Sequence, residues 1–464
     1  MDDIMKLPRR TLLAFSLSLI MAQPALAGSM TKAVQDALAY HPEVSASVNS
    51  RHAADQELRA AKGGYYPTLD LNAGTGWEQT DNPTTRSLKD HRRNLHRSES
   101  SINLTQNVFN GFMTTSEVAR QRATVNSRAF GVMNSSEVTA LNAIQAYLDV
   151  LMRQQMVQLA QENLTSHERI FDQIRLRTQQ GVGRQADHEQ AEARLSQARN
   201  NLLTEQTNLQ DAETNYLSIT GTMPTNLSMP PSSGGLASLN AAQKVMVENS
   251  PLLKLAEADI EAARQQYEAS KSRYYPNVNV ELGRRMDNNV DGTRGHDQEW
   301  QAMVRMRYNL FNGGSDVANV KANAYKIKEA QDVRNNALRQ LTEELRLAWT
   351  ALDNARQQVP IAKDYAERSM VVRTAYQQQF SIGERSLLDL LDSENEVFSA
   401  QRRYVEMQFV ELFSGYRIKA RVGELLKSLN IAAPEAAVAL DNPPPQVGIE
   451  SENPQSEHDT LPEL

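Results

Sequence analysis

The stretch Asn107-Val-Phe-Asn-Gly-Phe112 is written a second time, nearly letter for letter, as Asn309-Leu-Phe-Asn-Gly-Gly314. Neither copy holds a nucleophile, a metal-ligand set or a phosphate loop. Each lies where a two-residue hydrophobic alternation stops and a long polar helical pattern begins, so the repeated phrase marks a strand-to-helix corner. Phe109 and Phe311 belong to the corner itself, and Gly111 and Gly313 supply a positive φ that other residues adopt at a cost. Thr114 to Glu117 then read as a capping box and Ser315 as an N-cap ahead of Asp316.

The repetition spreads outward from there. Tyr65-Tyr66-Pro67 returns as Tyr274-Tyr275-Pro276 and His41-Pro42 as Ser250-Pro251, both 209 positions on. Phe109-Asn110-Gly111 and Ala146-Tyr147 return 202 positions on, the latter as Ala348-Trp349, and Gly183 returns as Gly383. The chain is therefore two repeats, 28–228 and 237–432, around a Pro/Gly/Ser linker at 229–236. The segments 81–100 and 287–298 lack hydrophobic period and read as loops. The stretch 433–464 reads as an acidic, Pro-rich disordered tail. In front, Lys6, Arg9 and Arg10 precede a short apolar run (11–22) and an Ala25-Leu26-Ala27 cleavage pattern, which predicts a signal peptide over 1–27. No cysteine follows that pattern to carry an acyl anchor; the chain has no cysteine at all, which removes disulfides and thiol chemistry. The net charge of −7 argues against a nucleic-acid partner.

Each repeat runs helix, strand, loop, strand, long helix, glycine break, helix. Trp300, Ala302, Val304, Met306, Tyr308 and Leu310 share one strand face, Gln301, Arg305, Arg307 and Asn309 the other, with Met303 the exception. Leu69, Leu71, Ala73 and Trp77, then Ile102, Leu104 and Val108, then Val278, Val280 and Leu282 repeat the alternation. A half-buried soluble sheet is the ordinary explanation. Here the polar face carries Arg, Asp, Glu and Asn, as a wet lumen would, and aromatic residues sit at two levels: Tyr65, Tyr66, Tyr274, Tyr275, Phe109 and Phe311 at one, Trp77 and Trp300 about ten residues away. A tilted strand separates those levels by about 25 Å, the height of an outer-membrane apolar band. Four strands cannot close a barrel, and open edges in lipid leave backbone groups unsatisfied. The chain must oligomerise. Beyond Gly111 and Gly313 the helical pattern runs about 100 Å, interrupted by Pro360 alone, with a narrow stripe (Ile144, Leu148, Leu151, Leu159) that needs partner helices.

The helix tips read Gln180-GVGRQADHEQAEA-Arg194 and Phe380-SIGERSLLDLLDS-Glu394. With the duplicated plan and the FNG corners, they resemble the TolC-like outer-membrane efflux proteins over roughly residues 30–430. The resemblance implies a mainly α fold in which duplicated helical hairpins form a periplasmic tunnel. Four β-strands per chain would contribute to a 12-stranded outer-membrane barrel in a homotrimer. It implies a periplasmic adaptor docking at Gly181, Val182, Gly183, Ile382, Gly383 and Ser386, and an inner-membrane ABC transporter or other pump behind it. Asp389 and Asp392 match the family's acidic aperture positions, Arg385 a gating basic position, and Glu189, with His188 beside it, an acidic partner position. Phe380 departs from the tyrosine that relatives can carry, so no hydroxyl tie to Glu189 is available. Asp389 and Asp392 are three apart and share a helix face; threefold symmetry would gather six carboxylates around one axis, a ring that binds or selects cations. An ordinary solvated acidic pair is the competing reading of the same residues.

His91 and His96 lie in a basic loop without carboxylate support, so no metal or other cofactor is expected. Arg86, Lys89, Arg92, Arg93 and Arg97 either meet phosphates of outer-membrane lipid or keep the loop solvated. No hydrolase triad, HExxH or phosphate loop occurs, and no enzyme is expected. A passive duct for type I protein secretion, including adhesin export, is the leading expectation. A drug-efflux duct and a non-pore periplasmic coiled-coil scaffold are the alternatives.

Overall fold

The computed structural model describes residues 29–88, 92–232, 234 and 237–441; the expected signal peptide lies outside them. Helices α1 (Met30–Tyr40) and α2 (Pro42–Gly63) lead to strands β1 (Thr68–Thr80) and β2 (Arg93–Phe109), with the short α3 (Pro83–Ser87) between them. Then come α4 (Met113–Gln179) and α5 (Gln185–Thr220). The second half repeats the order with α6 (Leu239–Asn249), α7 (Pro251–Ser270), β3 (Asn277–Asn288), β4 (His296–Arg307), α8 (Ser315–Ser381) and α9 (Leu387–Arg421), closing on α10 (Leu425–Ser428). Pro42 and Pro251 each open the second helix of a pair, because proline tolerates a first-turn position and pushes its predecessor out of the helical region. Among the described residues no helix is long and apolar enough to cross a membrane.

The strands form one antiparallel sheet in the order β1-β2-β3-β4, with β1 and β4 as unpaired edges. Opposed pairs place Leu69 with Leu104, Leu71 with Ile102, Leu104 with Leu282, Val280 with Val304, and Val278 with Met306 on one face. That face is solvent-open in the single chain, with Trp77 82% and Val304 72% exposed; a contiguous apolar surface of this kind marks contact with lipid or partner. The other face holds Arg305–Glu281 (3.0 Å), Arg285–Asp287 (2.6 Å) and Arg97 between Glu78 (2.8 Å) and Glu99 (2.7 Å). β2 begins at Arg93, so residues 93–100, expected as loop, are strand. Their ladder to β1 and the Arg97 ion pairs hold them, and neither leaves a hydrophobic period. The facing loop likewise shrinks to 289–295, and β4 stops at Arg307, short of Tyr308 and Leu310. Lys89 and His91 lie outside the described residues.

At the first corner Gly111 has φ +64° and Phe112 φ +66°. A side chain at Gly111 would meet the Ser272 carbonyl oxygen at 2.4 Å. Phe109, Phe112 and Tyr275 pack edge to face, with centroids 5.5 to 6.3 Å apart, which offsets the strain at Phe112. The second corner needs the same two left-handed residues and uses Gly313 (φ +58°) and Gly314 (φ +81°). Phe311 stands exposed there because β4 is an open edge. Neither expected cap forms. The Asn110 side chain accepts from the Thr114 N–H at 3.4 Å and donates to its hydroxyl at 2.7 Å, while Glu117 turns to Arg120. Ser315 is the first residue inside α8, whose cap is Gly314.

Helices α4 and α8 are 67 residues each, about 100 Å, and each folds back along its partner. The main core lies where α4, α5 and α9 meet, with Ile144, Tyr147, Met156, Tyr216, Phe409 and Tyr416 packed together, while Leu341 and Leu345 of α8 belong to a second cluster. Tyr147, wholly buried, donates to the Ser228 carbonyl (2.7 Å) and accepts from the Ser228 N–H (2.9 Å). Tyr416 donates to the Pro231 carbonyl, so the linker is pinned at both ends of its proline pair. The first part of the expected disordered tail is packed: Ala437 is buried, Asn126 accepts from the N–H groups of Leu440 and Asp441, and Asp441 pairs with Arg122 at 2.8 Å. Residues 442–464 lie outside the described residues.

Glu137 on α4 is 4% exposed and accepts from the N–H groups of Leu425 (3.1 Å) and Leu426 (3.3 Å) at the start of α10. Burial pushes its pKa up to about 7, against those two bonds. The folded chain therefore holds a proton that the unfolded chain releases near its ordinary value of 4.5. This contribution is full below that value and is lost as pH rises through about 7, at most roughly 3 kcal/mol per chain. Thermal midpoints from about pH 5 to about pH 8 should fall more steeply for the native chain than for Glu137→Gln. Parallel profiles would contradict the assignment.

Candidate functional site

Two hairpin tips lie at the far end of the long helices. At the first, α4 ends as Gly181 turns left-handed (φ +76°), and the N–H groups of Val182 and Gly183 return to the Arg177 carbonyl at 3.0 Å. At the second, Gly383 (φ +85°) bonds the Phe380 carbonyl and Glu384 the Gln379 carbonyl. Left-handed glycines satisfy carbonyls that a helix end leaves open. Each tip thereby presents one apolar side chain to solvent, Val182 and Ile382. Ser386 is spent locally: it caps α9 in a reciprocal box with Asp389, accepting from the Asp389 N–H (3.2 Å) and donating to its carboxylate (2.9 Å).

The sequence-picked aperture residues separate into two groups. Arg385 stays within its own hairpin, with Nε on Gln379 (3.0 Å), the guanidinium 4.2 Å over the Tyr376 ring, and Asp389 at 3.9 Å. Glu189 accepts from Gln185 one turn back on α5 (2.7 Å), and the His188 ring lies edge-on to Phe171 at 5.3 Å. Among the described residues neither has a hydrogen bond or ion pair to the second hairpin. Phe380 is buried among Ile170, Ile174, Ala191, Leu387, Leu390 and Leu391, with the Arg177 guanidinium 5.0 Å over its ring. It thus joins the hairpins by packing, where a hydroxyl would have joined them by a hydrogen bond.

Of the two aspartates, Asp392 is the one that crosses between hairpins. Arg194 on α5 reaches it at 3.1 Å, and Asp392 remains 58% exposed on its side chain. Behind this pair His167 on α4 is buried, and burial together with the nearby Arg194 charge lowers its pKa. Glu394 is buried against Arg373 at 3.5 Å. Burial raises its pKa, outweighing the opposing pull of Arg373. Arg194, His167 and Glu394 escaped sequence reasoning, since each looks like an ordinary helix-surface residue. The spacing of Arg194 and Asp392 along two different helices leaves no local signal.

The loop cations are also redistributed. Arg86 pairs with Asp81 (2.7 Å), Arg93 donates to the Gly292 carbonyl (3.0 Å), Arg97 is held by its two glutamates, and His96 stacks edge-on to Trp77 at 5.2 Å.

The tips, the open sheet and the duplicated corners have close counterparts. A family model described as outer membrane efflux protein matches residues 33–222 and 244–409. The outer membrane efflux protein BepC of Brucella suis biovar 1 (strain 1330) is 23% identical over 416 residues, covering 88% of each chain. The outer membrane protein TolC of Escherichia coli (strain K12) is 21% identical over 86% of this chain and 83% of its own. The alkaline protease secretion protein AprF of Pseudomonas aeruginosa is 19% identical over 88% and 87%. The crystal structure of the Campylobacter jejuni CmeC outer membrane channel superposes with a TM-score of 0.76 at 15% identity, over 89% of this chain and 90% of that one. The match spans both repeats, the sheet and both tips, and the chain belongs to the outer membrane efflux protein family, the TolC-like channels of the outer membrane.

Proposed function

We propose that three copies of this chain form a passive duct, the outer-membrane part of a tripartite export system, through which polypeptide passes by type I secretion. The observation that carries the reading is the joining of a sheet with two open edges and an apolar outer face to helices of 67 residues. Such a sheet closes when copies pair β1 of one with β4 of the next. The duplication supplies the contact: Phe311 corresponds to Phe109, and Tyr66 corresponds to Tyr275 on which Phe109 packs. Phe311 would then rest on Tyr66 of the adjoining copy. Polypeptide cargo is favoured by the relatives named for protease secretion, AprF and PrtF; a large adhesin is one such cargo. The name of BepC favours small-molecule efflux as the second reading.

In this reading Asp389 and Asp392 form the acidic aperture ring, Arg385 braces Asp389, and the Arg194–Asp392 pair ties the hairpins shut. Glu189 and His188 line the approach from α5. Val182 and Ile382, shaped by Gly181, Gly183 and Gly383, are the apolar contacts for an adaptor, and Ser386 sets the tip geometry from within. An inner-membrane ABC transporter or other pump supplies the energy, since family members are channels and not enzymes. Deleting the chain from its host should abolish appearance of a large polypeptide in the medium and leave drug susceptibility little changed. Undiminished secretion with heightened susceptibility would overturn polypeptide export in favour of efflux.

A further inference from the structure

The arginines of the sheet divide by face. Arg97, Arg285 and Arg305 point inward and each meets a carboxylate, while Arg307, inward at the open end of β4, has no ion pair among the described residues. Arg284 points outward, on the face of Leu282 and Val280, and sits directly across the ladder from Trp300. It is exposed, and among the described residues it has no ion pair. No outward position of the four strands holds a carboxylate that could neutralise it. A lone arginine on the lipid face costs about 2–4 kcal/mol at mid-bilayer and about 0–1 near an interface. At the level of Trp300 the smaller cost applies, and an anion at headgroup level would neutralise the charge that no outward carboxylate meets.

Three further observations place that anion. Tryptophan favours the headgroup level of a bilayer, and each distal tryptophan has a basic neighbour across its rung: Trp300 has Arg284 and Trp77 has His96. Arg92 and Arg294, in the turns just beyond, are exposed and also without an ion pair among the described residues. Strand β3 lies in the middle of the sheet, so copies joining at the β1 and β4 edges leave the outward face at Arg284 uncovered. A planar guanidinium matches phosphate in a bidentate fork, and a long arginine stem can lie on apolar surface while its head reaches the interface.

We infer that Arg284, flanked by Trp300 and supported by Arg92 and Arg294, is a binding site for a phosphate of the outer-leaflet glycolipid headgroup. The site rests on the outer-membrane placement of the sheet. It reads the phosphate, with the tryptophans setting its depth.

The test uses the detergent-purified, assembled full chain, with bisphosphorylated lipid A, dephosphorylated lipid A and inorganic phosphate as probes, and counts bound lipid by native mass spectrometry. The native chain should retain bisphosphorylated lipid A about tenfold better than Arg284→Gln, as expected for a lost charge-assisted bond. Arg284→Lys should fall between them, and dephosphorylated lipid A should bind the native chain and Arg284→Gln alike. Equal retention of bisphosphorylated lipid A by the native chain and Arg284→Gln would overturn the site. Displacement by inorganic phosphate at equal concentration would reassign it to free anions. If Arg284→Gln does not assemble, the doubly substituted Arg92→Gln/Arg294→Gln chain carries the comparison, because both positions lie in turns; retention equal to native then overturns the site. A chain that stays soluble without detergent would instead refute the membrane placement itself.

Discussion

Replacing Val304 with arginine should abolish assembly of the oligomer, read by cross-linking in detergent, while leaving the helical signal of the unassembled chain. Val304 lies opposite Val280, between the Trp300 level and the periplasmic end of β4, with its side chain wholly on the apolar face. A charge there costs about 2–4 kcal/mol near mid-bilayer, and every copy in the barrel would carry it. Gln301, three residues away in the same strand, faces the lumen, so Gln301→Arg should assemble normally. Leu310, which sequence alone placed on the same face, lies beyond the end of β4 at Arg307. A charge there should cost only about 0–1 kcal/mol, as at an interface. Normal assembly of Val304→Arg beside failure of Gln301→Arg would invert the faces of the sheet.

Alanine at the two corner glycines should fail at two different stages. Both positions are left-handed, which costs a side chain about 1–2 kcal/mol. At Gly111 the added methyl also meets the Ser272 carbonyl oxygen at 2.4 Å and the Tyr275 Cβ at 2.8 Å, and overpacking adds about 1–3 kcal/mol. Gly313 has open space in the single chain. The positions corresponding to Ser272 and Tyr275 are Gly63 and Tyr66, 209 residues earlier, and a neighbouring copy would bring them to Gly313. Gly111→Ala should therefore destabilise the chain itself and be cleared by proteases. Gly313→Ala should accumulate as a folded, protease-resistant chain that does not assemble. Full assembly of Gly313→Ala would mean that the second corner is not closed by another copy.

The contrast between those glycines also shows how far the sequence could be read. The duplicated phrase located both corners, both long helices and all four strands, because glycine, proline and two-residue alternation act locally. It also explains its own variation: position 112 is phenylalanine where an aromatic trio repays the left-handed strain, and position 314 is glycine where no such trio forms among the described residues of the chain. Features settled by a competing local partner or by a distant segment were not legible. The Thr114–Glu117 box had the right letters, yet Asn110 took the Thr114 N–H first. Residues 93–100 carry no period because their strand is held by polar pairs on its lumen side. Residues 433–441 look like tail until Asn126 and Arg122, more than 300 positions away, bind them. At the tips, Asp389 and Asp392 drew attention as a pair. Asp389 is a local helix cap with Ser386, and only the packing of α5 against α9 makes Asp392 an inter-hairpin tie.

The measurement that bears most directly on the duct is single-channel conductance of the purified chain in a planar bilayer during titration with a divalent cation. Small, stable steps that the cation blocks are expected, with block lost in Asp389→Ala/Asp392→Ala and larger steps in Arg194→Ala, which releases Asp392 alone and keeps the Ser386–Asp389 cap. A chain that inserts and never conducts, or whose cation block survives loss of both aspartates, would contradict an acidic aperture at these tips.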